Sequence, residues 1–225
     1  MTTPRAQGAI LLLFDVAADV VAEHDDWHTH EHMPERLAIP GFLRGSRWTR
    51  TAPGQRYCVV YEVADLAVLE SPAYRVRLDN PTPWTARMMP RYVGMRRTLC
   101  NVVAGDGDGM GGAGLVVTFA PVDGRSSELR AWLVADALPG LAKKRGVAAW
   151  RLLENSVEAA MTREQALRGR DGTVPLALWV TGYDVAAVAA LSEGDLGSAR
   201  LARHGAAEVV PAVFQLAHSL GAGCA

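Results

Sequence analysis

Twelve consecutive residues, Trp27-His28-Thr29-His30-Glu31-His32-Met33-Pro34-Glu35-Arg36-Leu37-Ala38, hold three histidines, two glutamates and a tryptophan. Four of the six histidines (His24, His28, His30, His32) fall within nine residues, while His204 and His218 lie near the C-terminus. Imidazole is the side chain whose unperturbed titration lies closest to neutral pH, so proton transfer is the first chemistry this cluster suggests.

The local pattern is helical. Asp25 or Asp26 is a plausible N-cap for a short helix through His32, with Pro34 as a first-turn residue of a continuation or a kink. On a regular helix His24, His28, Glu31, His32 and Glu35 share one face. Trp27, His30, Met33, Pro34 and Leu37 lie on the other, which is expected to pack on a sheet. Four readings of the polar face stay open. His28 or His32 acts as general acid or base, with Glu31 or Glu35 fixing its tautomer and no cofactor. His28 and His32, one turn apart, bind a divalent metal with Glu31 or His24 as third ligand. A histidine serves as an axial haem ligand in an apolar pocket, although no covalent attachment motif is present. Or the face is solvated, and His30 is a core histidine bonded to a backbone carbonyl.

The elements that position this segment repeat. The apolar run Ala9 to Val16 has the character of Gly114 to Pro121. Each is followed by a helical stretch, then a Pro-Gly pair (Pro40-Gly41, Pro139-Gly140) and a strand carrying a tryptophan (Trp48, Trp150). Tyr57–Val63 is matched by Leu176 to Thr181, and Tyr92 to Val103 by Val209 to Leu220. Each half therefore reads β-α-β-β-α-β, the ferredoxin-like unit. The expected fold class is α+β, two ferredoxin-like βαββαβ repeats pairing their antiparallel sheets into an α/β barrel. Expected boundaries are 1–103 for the repeat with the histidine helix, 104–113 for a Gly/Asp linker and 114–225 for a degenerate second repeat. The linker lacks the closing glutamate of a calcium loop and the Lys-Ser or Lys-Thr of a phosphate loop. Glu154 to Thr173 lengthens a hairpin of the second half and is expected to be exposed, with little bearing on function.

Composition limits the partners. A chain of 225 residues with 49% hydrophobic and 21% charged residues can bury a substantial core, and a net charge of -1 provides no field for nucleic acid. No membrane span or targeting segment is expected, since Ala9 to Phe14 is too short to cross a bilayer. Cys58, Cys100 and Cys224 form no CxxC motif, which suits a reducing cytoplasm better than a disulfide framework.

The segment Asp26 to Phe42, ending in Ile39-Pro40-Gly41-Phe42, resembles the signature of the EthD-like branch of the dimeric α/β-barrel superfamily: an aromatic pair, Glu-His, Pro, an apolar pair, and Pro-Gly-Phe leading into a strand. The resemblance spans residues 9 to 103 and reaches the second half only through the repeat order, where Ala135 to Leu141 keeps the Pro-Gly without a Glu-His. It implies that His32 occupies the family's histidine position and Trp27-His28 the aromatic pair, with His28 standing where Tyr or Trp is usual. That superfamily includes cofactor-free monooxygenases, lactone isomerases, polyketide cyclases and haem-handling proteins. What it implies is a small apolar cavity between sheet and helices rather than one reaction.

Candidates to line such a cavity are Trp48, Tyr61, Tyr74, Trp84, Arg87, Tyr92 and Arg97. The reading taken forward is a cofactor-independent acid/base enzyme of isomerase, cyclase or monooxygenase type acting on a small hydrophobic, aromatic or polyketide-like carbonyl compound. His28, Glu31 and His32 are its catalytic residues, and Trp27, Arg36, Trp48, Tyr61 and Trp84 its substrate-binding residues. The alternatives are a non-catalytic ligand-binding or structural barrel and a metal or haem protein using the histidine cluster; under any of them each half can instead pair with another chain, as in a homodimer.

Overall fold

A computed structural model describes residues 5–50, 52–156, 163–169 and 171–223, so Cys224 lies outside the described residues. The chain forms β1 (Gly8–Val16), α1 (Val21–Trp27), a π-helical turn (His28–His32), α2 (Met33–Leu37), β2 (Phe42–Thr49), β3 (Tyr57–Val63), α3 (Pro72–Asp79), α4 (Pro83–Met88) and β4 (Tyr92–Asp106). The order then returns with β5 (Ala113–Pro121), α5 (Ser126–Trp132), a second π-helical turn (Leu133–Ala137), β6 (Val147–Asn155), α6 (Arg163–Arg168), β7 (Leu176–Gly182), α7 (Val185–Ala190), α8 (Ser198–Arg203) and β8 (Ala206–Gly221). The β-α-β-β-α-β order is present twice. The eight strands follow the hydrogen-bonded order β1-β3-β2-β8-β5-β7-β6-β4, which closes as an antiparallel α+β barrel. Strand β4 runs to Asp106 and β5 opens at Ala113, so both ends of the Gly/Asp connector are strand.

Two compact units divide the chain: Met1–Asn101 with Ser156–Thr173 and Ala217–Ala225, and Val102–Asn155 with Val174–Leu216. In the first, β1 is flanked by β3 and β4, which is why its run is apolar on both faces. Alternation sends Ile10, Leu12 and Phe14 to the helix side, where they pack with Met33, Leu37, Tyr61 and Leu78. Gly45 of β2 lets the site helix approach, since a Cβ there would lie 3.0 Å from both Met33 and Leu37. In the second unit, Leu115, Val117 and Phe119 of β5 pack with Leu129, Leu133 and Leu138.

The first helix of each repeat carries the same irregularity. The Met33 N–H bonds to the His28 carbonyl, and in the second repeat the Leu138 N–H bonds to the Leu133 carbonyl at 3.0 Å. These five-residue steps widen one turn and bring residues five apart onto a common face, so Trp27 packs against His32 with ring centroids 4.4 Å apart. The two-faced helix expected from a regular period is corrected accordingly: Trp27, His28, His32, Met33, Arg36 and Leu37 are all buried. The helix also begins at Val21, ahead of the expected caps Asp25 and Asp26, and His30 is exposed rather than in the core.

The segment after β6 departs from its expected role as well. Ser156 N–H bonds to Leu99 O and Gly172 N–H to Met95 O, which ties the insertion to β4 at both ends. Its helix α6 buries Glu164 to 4% exposure. No helix among the described residues is long and apolar enough to cross a membrane.

Candidate active site

A cavity of about 40 Å³ lies within the first unit. Ile10 and Leu12 of β1 and Tyr61 of β3 form its floor, a consequence of register: Ile10 pairs with Tyr61 and Leu99, and Leu12 with Arg97. His32 and Arg36 descend from the π turn and α2. Tyr74 and Leu78 of α3 close one side, Met89, Tyr92, Met95 and Arg97 another, and Glu164, Gln165 and Arg168 of α6 complete the wall.

His32 is 7% exposed, and burial holds its pKa well below the ordinary 6.5, with the Arg36 guanidinium reinforcing the shift. At neutral pH it is a free-base imidazole. Arg36, 4% exposed, donates from Nη2 to Glu164 Oε2 at 2.5 Å. Burial alone would lower the Arg36 pKa, but the Glu164 carboxylate outweighs it and the net shift is upward. Arg168 forms a two-point pair with Asp171, at 2.9 and 2.6 Å, and its guanidinium sits 5.9 Å over the Tyr92 ring. Arg97 donates to the Tyr74 hydroxyl at 3.3 Å.

His28 stands one layer behind. A 3.2 Å hydrogen bond joins its Nε2 to the hydroxyl of Tyr61, so its effect on the cavity passes through that tyrosine. Burial, then His24 and Arg47, hold the His28 pKa well below the ordinary value. His24, fully buried, meets Asp25 at 3.3 Å and the Tyr92 hydroxyl at 3.4 Å. The three rings lie in a row, tilted to one another by 37° and 44°, with His24–His28 and His28–His32 centroids 5.6 and 5.5 Å apart.

Of the residues read from sequence, His32, Arg36 and Tyr61 meet at the cavity, together with Tyr74, Tyr92 and Arg97. Four others have their contacts elsewhere. Among the described residues Glu31 bonds to no histidine directly: its Oε1 accepts from Trp27 Nε1 at 3.1 Å, Thr82 at 2.6 Å and Thr85 at 3.3 Å. Trp27 supports His32 from behind and lies outside the cavity wall. Trp48 pairs with Cys58, on the face of β3 opposite Tyr61, and its indole donates to Ser46 at 2.9 Å. Trp84 donates to Glu23 at 3.1 Å, near Arg87, which reaches the same carboxylate at 3.5 Å.

Glu164, Gln165 and Arg168 were not singled out from sequence. The available signal was length, since roughly 20 residues between two strands of a hairpin exceed what a turn needs and such loops are commonly functional. Among the described residues no three His, Cys, Asp or Glu side chains converge as a metal-ligand set.

No protein-family model and no curated protein matches this chain. Among solved structures it is similar to an anthrone oxidase-like protein, at 13% identity and TM-score 0.66 over 99% of this chain and 96% of that one. An inferred monooxygenase from Fusobacterium nucleatum aligns at 10% identity and TM-score 0.64, covering 96% and 95% of the two chains. Another from Lactobacillus acidophilus aligns at 8% identity and TM-score 0.60, covering 97% of each. At such identities the likeness establishes the ferredoxin-like barrel fold and leaves the chemistry to the site.

Proposed function

We propose that this protein is a cofactor-independent acid/base enzyme of the isomerase, cyclase or monooxygenase type, acting on a small hydrophobic carbonyl compound of aromatic or polyketide-like character. The observation that carries this reading is a neutral, buried imidazole, His32, lining a cavity beside the Arg36 guanidinium. His32 takes a proton from carbon next to the carbonyl, and the C–H electron pair moves onto the carbonyl oxygen to give an enolate. Arginines 97 and 168 and the tyrosine hydroxyls supply positive potential and donors for that oxygen. A base of low pKa removes only acidic protons efficiently, so the substrate carbon is activated by an aromatic ring or a second carbonyl. Reprotonation at another carbon isomerises the substrate, attack on a second carbonyl cyclises it, and oxidation of the carbanion by dioxygen, with loss of water, yields a ketone.

The Asp26 to Phe42 signature supports a place in the EthD-like branch, and the buried free thiols of Cys58 and Cys100 suit the cytoplasm. The described lining of the cavity comes from one unit.

Anthrone, an aromatic ketone with an acidic methylene, is the first substrate to test. Oxygen uptake in air should exceed background with the wild-type chain and fall about 10²- to 10⁴-fold in His32→Gln. Anthrone binding without any His32-dependent turnover, across anthrone and a cyclic 1,3-diketone, would assign the cavity to a non-catalytic binding barrel.

A further inference from the structure

The charge around the cavity is unbalanced. Among the described residues Arg36, Arg97 and Arg168 line it, Glu164 is the one lining carboxylate, and Asp171 pairs with Arg168 from behind. His32 is neutral and Arg97 donates to the Tyr74 hydroxyl, so the described residues at the cavity, Asp171 included, hold one more guanidinium than carboxylate. Arg36 is also incompletely used. Its Nη2 meets Glu164, while its buried Nη1 has no hydrogen-bond partner among the described residues. A guanidinium offers two parallel donors suited to both oxygens of a carboxylate, and Glu164 engages it through a single oxygen.

We propose that Arg36 is a carboxylate-binding residue, that the substrate of this cavity carries a carboxylate group, and that Glu164 occupies Arg36 until that group replaces it. This rests on reading the cavity as the substrate site. Exchange of one carboxylate for another keeps the buried guanidinium paired throughout. A neutral ligand displaces Glu164 only by stranding the Arg36 charge, so it enters less readily than an acid and is the poorer ligand and substrate. The same displacement moves α6 aside and enlarges a cavity of about 40 Å³ to admit the body of an aromatic acid. Glu164 thus selects for an acid by occupying the acid's position.

The test is calorimetric titration of the full-length chain with benzoate and with benzamide, its neutral isostere. Benzoate is expected to bind at least about tenfold tighter, and Glu164→Gln, which removes the competing charge, is expected to tighten benzoate by about tenfold more. Because Arg36→Met alone leaves Glu164 buried and unpaired, the double variant Arg36→Met/Glu164→Gln is used as well, with its fold checked by circular dichroism. It should bind benzoate no better than benzamide. Equal binding of the two ligands by wild type, absence of benzoate binding, weaker benzoate binding in Glu164→Gln, or retained benzoate preference in the double variant overturns the proposal. These readouts need no turnover. Loss of the benzoate preference alongside intact His32-dependent oxygen uptake removes this inference alone, whereas benzoate selectivity without any His32-dependent reaction removes the enzymatic reading and leaves an acid-binding site.

Discussion

The indole Nε1 of Trp27 donates to Glu31 Oε1 at 3.1 Å, one helical turn along the chain. The same oxygen accepts from Thr82 and Thr85, so Glu31 joins the site helix to the start of α4 and fixes the indole on which His32 rests. Its role is positional. Glu31→Ala leaves the fully buried Trp27 N–H and two hydroxyls without that acceptor, and should cost about 2–3 kcal/mol in urea unfolding. Glu31→Gln keeps an acceptor oxygen and should cost less. Neither change should shift the acid limb of a pH–rate profile, as a carboxylate paired directly with the catalytic histidine would.

The histidine row makes stability depend on pH. His24, His28 and His32 are each held below the ordinary 6.5 in the folded protein, burial being the first cause in all three. Above about 6.5 neither the folded nor the unfolded chain protonates them, and their full contribution is present. As pH falls below that value the unfolded chain takes up protons that the folded chain refuses. Stability therefore drops by up to about 1.4 kcal/mol per pH unit for each histidine until its folded pKa is reached. Urea unfolding between pH 7.5 and pH 5 should show this decline. His28→Leu, which copies the repeat-equivalent Leu133, should reduce the slope by about one proton's worth.

Period and spacing carried the strand framework. Tyr57–Val63 is a strand with the bounds expected from the sequence, and the apolar run around Leu11 is a strand flanked on both sides. The meeting of His32, Arg36 and Tyr61 follows from one helix lying over one strand, which the repeat order implies. The π turn was not legible, because a 3.6-residue period assumes the regularity that His28–His32 breaks. Nor could spacing reveal that Glu31 bonds to side chains 51 and 54 positions away, or that Arg36 pairs with a carboxylate 128 positions away. Long-range partners of polar side chains leave no local pattern.

The Gly/Asp connector is structurally demanding at two points, Gly107, with φ +74° and a Cβ that would lie 2.1 Å from the Ala148 carbonyl oxygen, and Gly111. Gly111 has φ +70°, and a Cβ there would lie 2.0 Å from the Gly182 carbonyl oxygen. Gly111→Ala should destabilise the protein by about 1–3 kcal/mol or more, whereas Gly112→Ala, whose Cβ meets nothing within 4 Å, should be nearly silent. Thermal unfolding of the pair checks this, and equal melting temperatures would contradict the close approach.

The central claim is that His32 moves a proton, and hydrogen exchange reads that step without requiring oxygen. Anaerobic incubation of anthrone in deuterium oxide, followed by proton NMR of its methylene, measures the rate above background for the wild-type chain and for His32→Gln of matched fold. The account predicts enzyme-dependent deuterium uptake that falls about 10²- to 10⁴-fold in the variant. Exchange at the wild-type rate in folded His32→Gln, or none above background in the wild-type chain, would contradict it.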